Sequence, residues 1–343
     1  MNIYDTAVLN RLVQSLKRPQ TALLSLFFSE IETSDTEEIK FDVENKKRRI
    51  APFVSPLREG KLVEDEGYVT KTFSPAYIKD KRVHDPNKAL KRAAGETIGG
   101  SQSPMDRHQA NLARSLADQL EMLTRRKEVM AAEVLRTGKC TISGEGYPTV
   151  VVDFGRNAQH TVALTGSSRW GQSNIKPLED LEDWTSRVLQ NSGAVIRDVI
   201  MDPLAWRKFR ADSTVEKYLD TRPVSTSGSS VSFEQFARLG LSYKGAIGEL
   251  RFWVYQDWYV DENGTEQKIL PDNSVILASP DVDGVQHHGA IRDEEAGIQP
   301  LEFFSKSWTV PDPSRRILLM QSAPLIVPYR PDATLFANVD AGA

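Results

Sequence analysis

The sequence predicts an α+β protein organised around one long helix, and three observations carry that expectation. Apolar residues recur at spacings of four and three from Leu112 to Val134, between a helix-start signal at Ser103 and a glycine at position 138. Short β-prone runs bounded by turn residues occur at 148–154 (PTVVVDF), 194–201, 250–260 (LRFWVYQDWYV) and 317–327 (ILLMQSAPLIV). Helical patterns alternate with these runs at 178–191 and after Asp202-Pro203.

The long helix has the strongest local signals. Ser103 is a good N-cap, Pro104 suits the first helical position and Asp106 the third. Leu112, Leu116, Leu120, Leu123, Met130 and Val134 form one stripe, which Lys127 interrupts once. Gly138 stands where a left-handed stop is expected. About 32 residues at a rise of about 1.5 Å make a rod of roughly 48 Å, which suits an elongated subunit.

Residues 1–47 read as a polar arm with two apolar patches. One is a helical face with Ala7, Leu12 and Leu16; the other is Leu23, Leu24, Leu26, Phe27 and Phe28. So short an arm cannot bury both by itself, so it is expected to lie against something else. In 50–86, runs at 57–64 and 68–73 flank the acidic turn Asp65-Glu66-Gly67, a hairpin signal. Arg58, Glu59, Lys61, Glu64 and Lys71 crowd that hairpin, and an isolated pair of strands is marginal in water.

In the helix at 178–191, Pro177 precedes Glu179, Asp180, Glu182 and Asp183, acids that the helix dipole favours near its start. Leu178, Leu181, Trp184 and Val188 share its apolar face. Asp202-Pro203 caps a second helix running through Trp206 and Phe209, and 226–232 is a Ser/Gly-rich loop. Asn263-Gly264 turns the run at 250–260 back towards 266–270 as a hairpin. Pro324 inside 317–327 predicts an edge position or a bulge.

Composition excludes several classes of function. The 343 residues include 43 basic and 47 acidic side chains, a formal net charge of −4, whereas a protein that grips nucleic acid usually has a basic surplus. The longest basic run, Lys46-Lys47-Arg48-Arg49, reads as a solvated or interfacial face. Cys140 stands alone, so no internal disulfide framework or CxxC metal chemistry is available. TALLSLFF, at 21–28, is too short to span a bilayer, and the chain is expected to be soluble and cytoplasmic.

No phosphate-binding glycine loop, HExxH, GxSxG or GxGxxG-after-strand motif is present. His287 and His288, with Asp281, Asp283 and Asp293 nearby, are the one cluster with metal-ligand chemistry. Adjacent residues on a strand point to opposite faces, so a polar loop is the preferred reading. The aromatic run Phe252, Trp253, Tyr255, Trp258 and Tyr259 reads as core and interface rather than a base-stacking platform, because only Arg251 adjoins it. No catalytic residue, cofactor or metal is expected.

A series of short segments then resembles a known family, in order and almost end to end. They are LLSLFF (23–28), Phe53-Val54-Ser55-Pro56, FSPAYIK (73–79), Asp202-Pro203 with Trp206 and Phe209, LDTR (219–222), SYKG (242–245), LPDN (270–273) and QSAPL (321–325). The chain resembles the HK97-like capsid fold of tailed phages and, within it, the bacteriophage lambda major capsid protein family.

That resemblance implies an N-terminal arm at 1–47, an extended E-loop at 50–86, a peripheral domain at 87–177 and 291–343 whose spine helix spans about 104–136, and an axial domain at 178–290. It implies a shell subunit, not an enzyme, located in the virion and assembled in the host cytoplasm. Its partners would be copies of itself in hexamers and pentamers, a separate scaffolding protein, a portal, a small decoration protein, and packaged DNA held without sequence-specific contact. No membrane is involved. A slightly acidic chain suits a container that encloses DNA without adhering to it.

Candidate inter-subunit contacts are Leu23, Leu24, Phe27 and Phe28 on the arm, and Lys61, Glu64, Tyr68, Lys71 and Phe73 on the loop. Some relatives crosslink lysine to asparagine, but no motif around Lys61 or Lys71 licenses that chemistry. Two alternatives remain open at this point: an encapsulin-like compartment shell, and a metal-dependent hydrolase using His287 and His288.

Overall fold

The structure, a computed structural model, describes residues 4–16, 21–35, 38–44, 68–73, 75, 77–84, 103–144, 147–221, 233–297, 299–312 and 315–342. The arm contributes α1 (Thr6–Ser15), capped by the Asp5 carboxylate, then α2 (Ala22–Phe27), β1 (Glu30–Thr33) and β2 (Ile39–Glu44). β3 (Tyr68–Phe73) and β4 (Ile78–His84) precede the long helix α3 (Pro104–Thr137). At its start Ser103 Oγ accepts from the Asp106 amide while the Asp106 carboxylate accepts from the Ser103 amide, each at 3.1 Å. This reciprocal pair satisfies two otherwise orphaned donors. Gly138 ends the helix at φ +69°, and a Cβ there would lie 2.5 Å from Cβ of Arg156. Glycine is therefore required both by conformation and by space.

After the helix come β5 (Lys139–Gly144), β6 (Tyr147–Asp153), β7 (Thr161–Ala163), α4 (Pro177–Ser192), β8 (Asp198–Met201), α5 (Pro203–Arg210) and α6 (Ser213–Tyr218). The chain continues through α7 (Phe233–Arg238), β9 (Leu241–Ile247), β10 (Leu250–Tyr255), β11 (Trp258–Val260), β12 (Glu266–Lys268), β13 (Ser274–Ala278) and β14 (Gly284–His288). It closes with β15 (Phe304–Val310), β16 (Arg315–Ser322), β17 (Pro324–Pro328) and β18 (Thr334–Asn338).

Six strands form the central sheet, in the order β7-β18-β13-β8-β10-β9. Its inner strands are apolar at successive positions because both faces are covered. Val199, Met201, Val275, Leu277 and Leu335 face α4 and α5, meeting Leu181, Trp184, Val188, Trp206 and Phe209. Ile200, Trp253, Tyr255 and Ile276 belong to the opposite layer, with α2 and the C-terminal half of α3. A third cluster joins Leu112, Leu116, Leu120 and Leu123 of α3 to Leu9 and Val13 of α1 and to Leu318 and Met320 of β16.

Pairing departs from the sequence expectations in three places. β3 pairs antiparallel with β2, from Ile39 opposite Phe73 to Glu44 opposite Tyr68, and the expected partner at 57–64 lies outside the described residues. The run at 317–327 is two strands in two sheets. β16 pairs with β15 and β4, whereas β17 starts at Pro324 and pairs with β14 at the edge of the sheet β1-β14-β17. Pro324 brings no N–H, so it falls where one ladder ends and an edge strand begins. The run at 250–260 likewise breaks between Tyr255 and Trp258, and β11 pairs with β12 around the Asn263-Gly264 turn. β18 lies between β13 and β7 in the central sheet, antiparallel to the buried β13 and parallel to β7.

Candidate assembly surfaces

The two apolar patches of the arm are covered by the subunit itself. Leu23 and Phe28 are 0% exposed, Leu24 5% and Phe27 6%. α2 packs on α3, where Glu128 Oε1 accepts from the Leu23 amide at 2.8 Å and Oε2 from the Leu24 amide at 3.0 Å. Tyr255 also donates to Oε1, at 2.9 Å. Burial raises the Glu128 pKa, partly offset by these donors. One residue earlier, the 4%-exposed Lys127 donates to Gln286 Oε1 at 3.0 Å and pairs with Glu302 at 3.2 Å. Gln286 in turn donates to the Phe28 carbonyl at 2.7 Å. The adjacent charges at 127 and 128 thus fasten both ends of the patch.

Leu23, Leu24, Phe27 and Phe28, candidates for contact with a neighbouring subunit, are packed here within the chain against α3 and β17. The adjacent charges in the α3 stripe were the signal that could have located this packing.

Of the loop candidates, Lys61 and Glu64 lie outside the described residues. Tyr68 and Lys71 belong to β3, and Phe73 is buried opposite Ile39. His287 and His288 occupy β14 and face different neighbours. His287 Nε2 lies 3.0 Å from the Tyr329 hydroxyl, and His288 Nδ1 lies 3.4 Å from Ser322 Oγ. Among the described residues no group of three or more His, Cys, Asp or Glu is placed to hold a metal. Cys140 is buried, and desolvation pushes its thiol pKa up to about 12. Among those residues no helix is long and apolar enough to cross a membrane.

An exposed surface not anticipated from the sequence lies on the sheet β15-β16-β4. Val83, Ile317 and Trp308 stand side by side across it. Ile317 is 6% exposed, but Val83 is 51% and Trp308 37% exposed. The next row is Lys81, Leu319 and Lys306, with the Lys81 ammonium 5.7 Å from the Trp308 ring centroid. Beyond it a shallow polar cavity of about 380 Å³ includes Lys79, Asp293, Lys306, Leu319 and Gln321. Lys306 and Gln321 both reach the Asp293 carboxylate, at 2.6 and 2.8 Å. The strip is apolar and bordered by lysines, the composition of a surface that meets another molecule, with no arrangement of nucleophile and base among these residues.

Arm, two-stranded ribbon, long helix and central sheet define the HK97-like class of shell proteins. The crystal structure of a prophage capsid protein from E. coli CFT073 superposes with a TM-score of 0.78 at 23% identity, covering 97% of this chain and 98% of that one. The capsid of Ralstonia phage GP4 gives 0.54 at 10% identity, covering 94% and 92%. The family model for phage major capsid protein E matches residues 5–339, and the chain belongs to that family. The major capsid protein of Escherichia phage lambda is 30% identical over 339 residues, covering 97% of this chain and 98% of the relative. That of Escherichia phage N15 is 29% identical over 336 residues, covering 97% and 98%. The family is structural, and its place is the capsid of the virion.

Proposed function

We propose that copies of this chain build an icosahedral shell around the DNA of a tailed phage by laying residues 45–67 of one copy on the β15-β16-β4 face of the next. The observation that carries this reading is the exposed Val83–Trp308 strip beside Lys79, Lys81 and Lys306. Residues 45–67 link the paired strands β2 and β3; their basic residues gather at 46–49 and Arg58, while 59–66 carries Glu59, Glu64, Asp65 and Glu66 against Lys61 alone, an acidic stretch complementary to those lysines. Lys61, Glu64, Tyr68 and Lys71 are the loop-side contacts in this reading.

The chain does no chemistry here and needs no cofactor. A peripheral unit at 87–177 and 291–343, with α3 as its spine, carries most of the docking face. An axial unit at 178–290 points to the capsomer centre. Further partners are a separate scaffolding protein, a portal and a small decoration protein clamping the loops, with assembly in the host cytoplasm. DNA is enclosed without sequence-specific contact.

Trp308→Ser tests the docking face. The variant should melt like the unaltered subunit and form no closed shells by negative-stain microscopy. Shells at normal yield would overturn the assignment.

A further inference from the structure

The sheet that carries the docking face also has an open edge. β15 is its outer strand; Asn10 of α1 covers its backbone at Ser305, and the Ser307 hydroxyl, on the face towards α1, donates to the Tyr4 carbonyl at 3.2 Å. Asn10 Nδ2 donates to the Ser305 carbonyl at 3.0 Å, and Asn10 Oδ1 accepts from the Ser305 amide at 2.9 Å. Backbone groups alternate sides along a strand, so the amides and carbonyls of Ser307 and Thr309 point the same way as those of Ser305. Among the described residues nothing bonds them. No proline or bulge guards this stretch, and Trp308 and Thr309 are exposed.

A second open edge has matching dimensions. β1 is the outer strand of β1-β14-β17, and all four of its side chains are exposed. The Ser34 amide donates to the His288 carbonyl at 2.8 Å, which assigns residues 30 and 32 to the ladder with β14 and leaves Ile31 and Thr33 directed outward. Each edge therefore offers two outward residues spaced two apart.

Charge selects the match. β1 carries Glu30 and Glu32, whereas β15 faces Arg315 and Arg316 across its ladder and carries Lys306, which is bridged to Asp293. Two copies of β15 would set these cations against each other. Within one copy the two edges belong to different sheets, each fixed by its own partners.

We propose that β1 of one copy adds as a strand to the Ser307–Thr309 edge of β15 on a second copy. The contact is heterologous, so a single kind of junction propagates from copy to copy and closes into rings where the rotation allows. It rests on the shell reading above and adds a backbone-mediated junction to the side-chain docking face.

Thr309→Pro and Ile31→Pro each remove one outward amide without touching the ladder on the other side. Each variant should keep the melting curve of the unaltered chain and fail to form shells. With Trp308→Ser added to both to remove the docking face, the two mixed in equal amounts should form one pair and stop, since one retains its β1 edge and the other its β15 edge. Shells from either variant alone, or no pair by analytical ultracentrifugation, would overturn the proposal. If a proline variant does not fold, Ile31→Cys combined with Thr309→Cys or with Ser307→Cys covers the registers, against a background in which Cys140 is buried. Oxidised shells should then yield disulfide-linked multimers in at least one combination. Intact shells with none would sink the strand pairing alone, whereas an unaltered chain that forms no shells would sink the shell reading.

Discussion

Arg156 donates to the carbonyl of Leu135 at 2.8 Å, while its other terminal nitrogen reaches the Arg136 carbonyl and, at 2.7 Å, Thr161 Oγ1. The last turn of α3 thus receives a cation where helix carbonyls are orphaned and the dipole is negative. The same guanidinium lies 3.5 Å from Thr334 Oγ1 at the start of β18, so it ties the end of the long helix to the central sheet. Burial lowers its pKa to about 10, which leaves it charged at neutral pH.

Arg156→Met should therefore cost about 2–3 kcal/mol, since several buried acceptors lose a charged donor together. Urea unfolding of the soluble subunit measures this. An unchanged midpoint would show that water replaces the guanidinium without loss.

Phe28 is a property of the folded subunit, not of assembly alone. It is 0% exposed and its ring lies 2.4 Å from the position a Cβ on Gly284 would take. Phe28→Ala should cost about 3–5 kcal/mol. Gly284→Ala should be destabilising as well, because the Phe27 carbonyl is only 2.2 Å from that position. Thermal melts of both variants, matching the unaltered chain, would contradict this packing.

Lys127 is buried against Glu302 and Gln286. Replacing it by methionine leaves a partly buried carboxylate without its cation, at a cost of about 3–5 kcal/mol. The double change Lys127→Met with Glu302→Leu should recover most of that loss. A double variant no better than the single one would mean that the ion pair is not the unit at fault.

His160 gives the subunit a pH dependence of definite sign. Its Nδ1 lies 3.0 Å from the Thr334 carbonyl, so that nitrogen carries the proton; Nε2 lies 3.0 Å from the Asn191 amide nitrogen and accepts from it. Desolvation lowers its pKa below the ordinary 6.5, against the attraction of Asp332 and with Arg156 and Arg187 also disfavouring the charge. The unfolded chain therefore takes up the proton first. The stability from neutral His160 is complete above 6.5 and falls as the pH drops from there towards the lower folded value. Between about pH 7.5 and about pH 5.5 the melting temperature should decline less steeply in His160→Gln than in the unaltered chain. An identical slope would refute the assignment.

The long helix was readable because its start and stop are local chemistry: Ser103, Pro104, Asp106 and Gly138 act on their own neighbours in sequence. The split of 317–327 was not, since sheet membership depends on strands at 78–84, 284–288 and 304–310 that the local pattern cannot rank. The packing of the arm patch within the chain is not legible in the sequence for a related reason. Its hydrogen-bond acceptor, Glu128, lies more than 100 residues away, and a charge inside an apolar stripe reads as an interruption until its partners are known. The Val83–Trp308 strip was hidden because alternation interleaves Phe304, Lys306 and Trp308 with serines, so its hydrophobic content emerges only when three strands stand together.

The place of β18 bears on how the protein is made. Residues 334–338 fill the gap between β13 and β7, so a nascent chain that has reached only residue 330 holds β13, apolar at four of its five positions, with one side unpaired. Such an edge invites pairing with other chains. Translation speed and early chaperone contact over this last stretch should therefore influence the yield of usable subunits more than events at the arm, which docks on a helix finished some two hundred residues earlier.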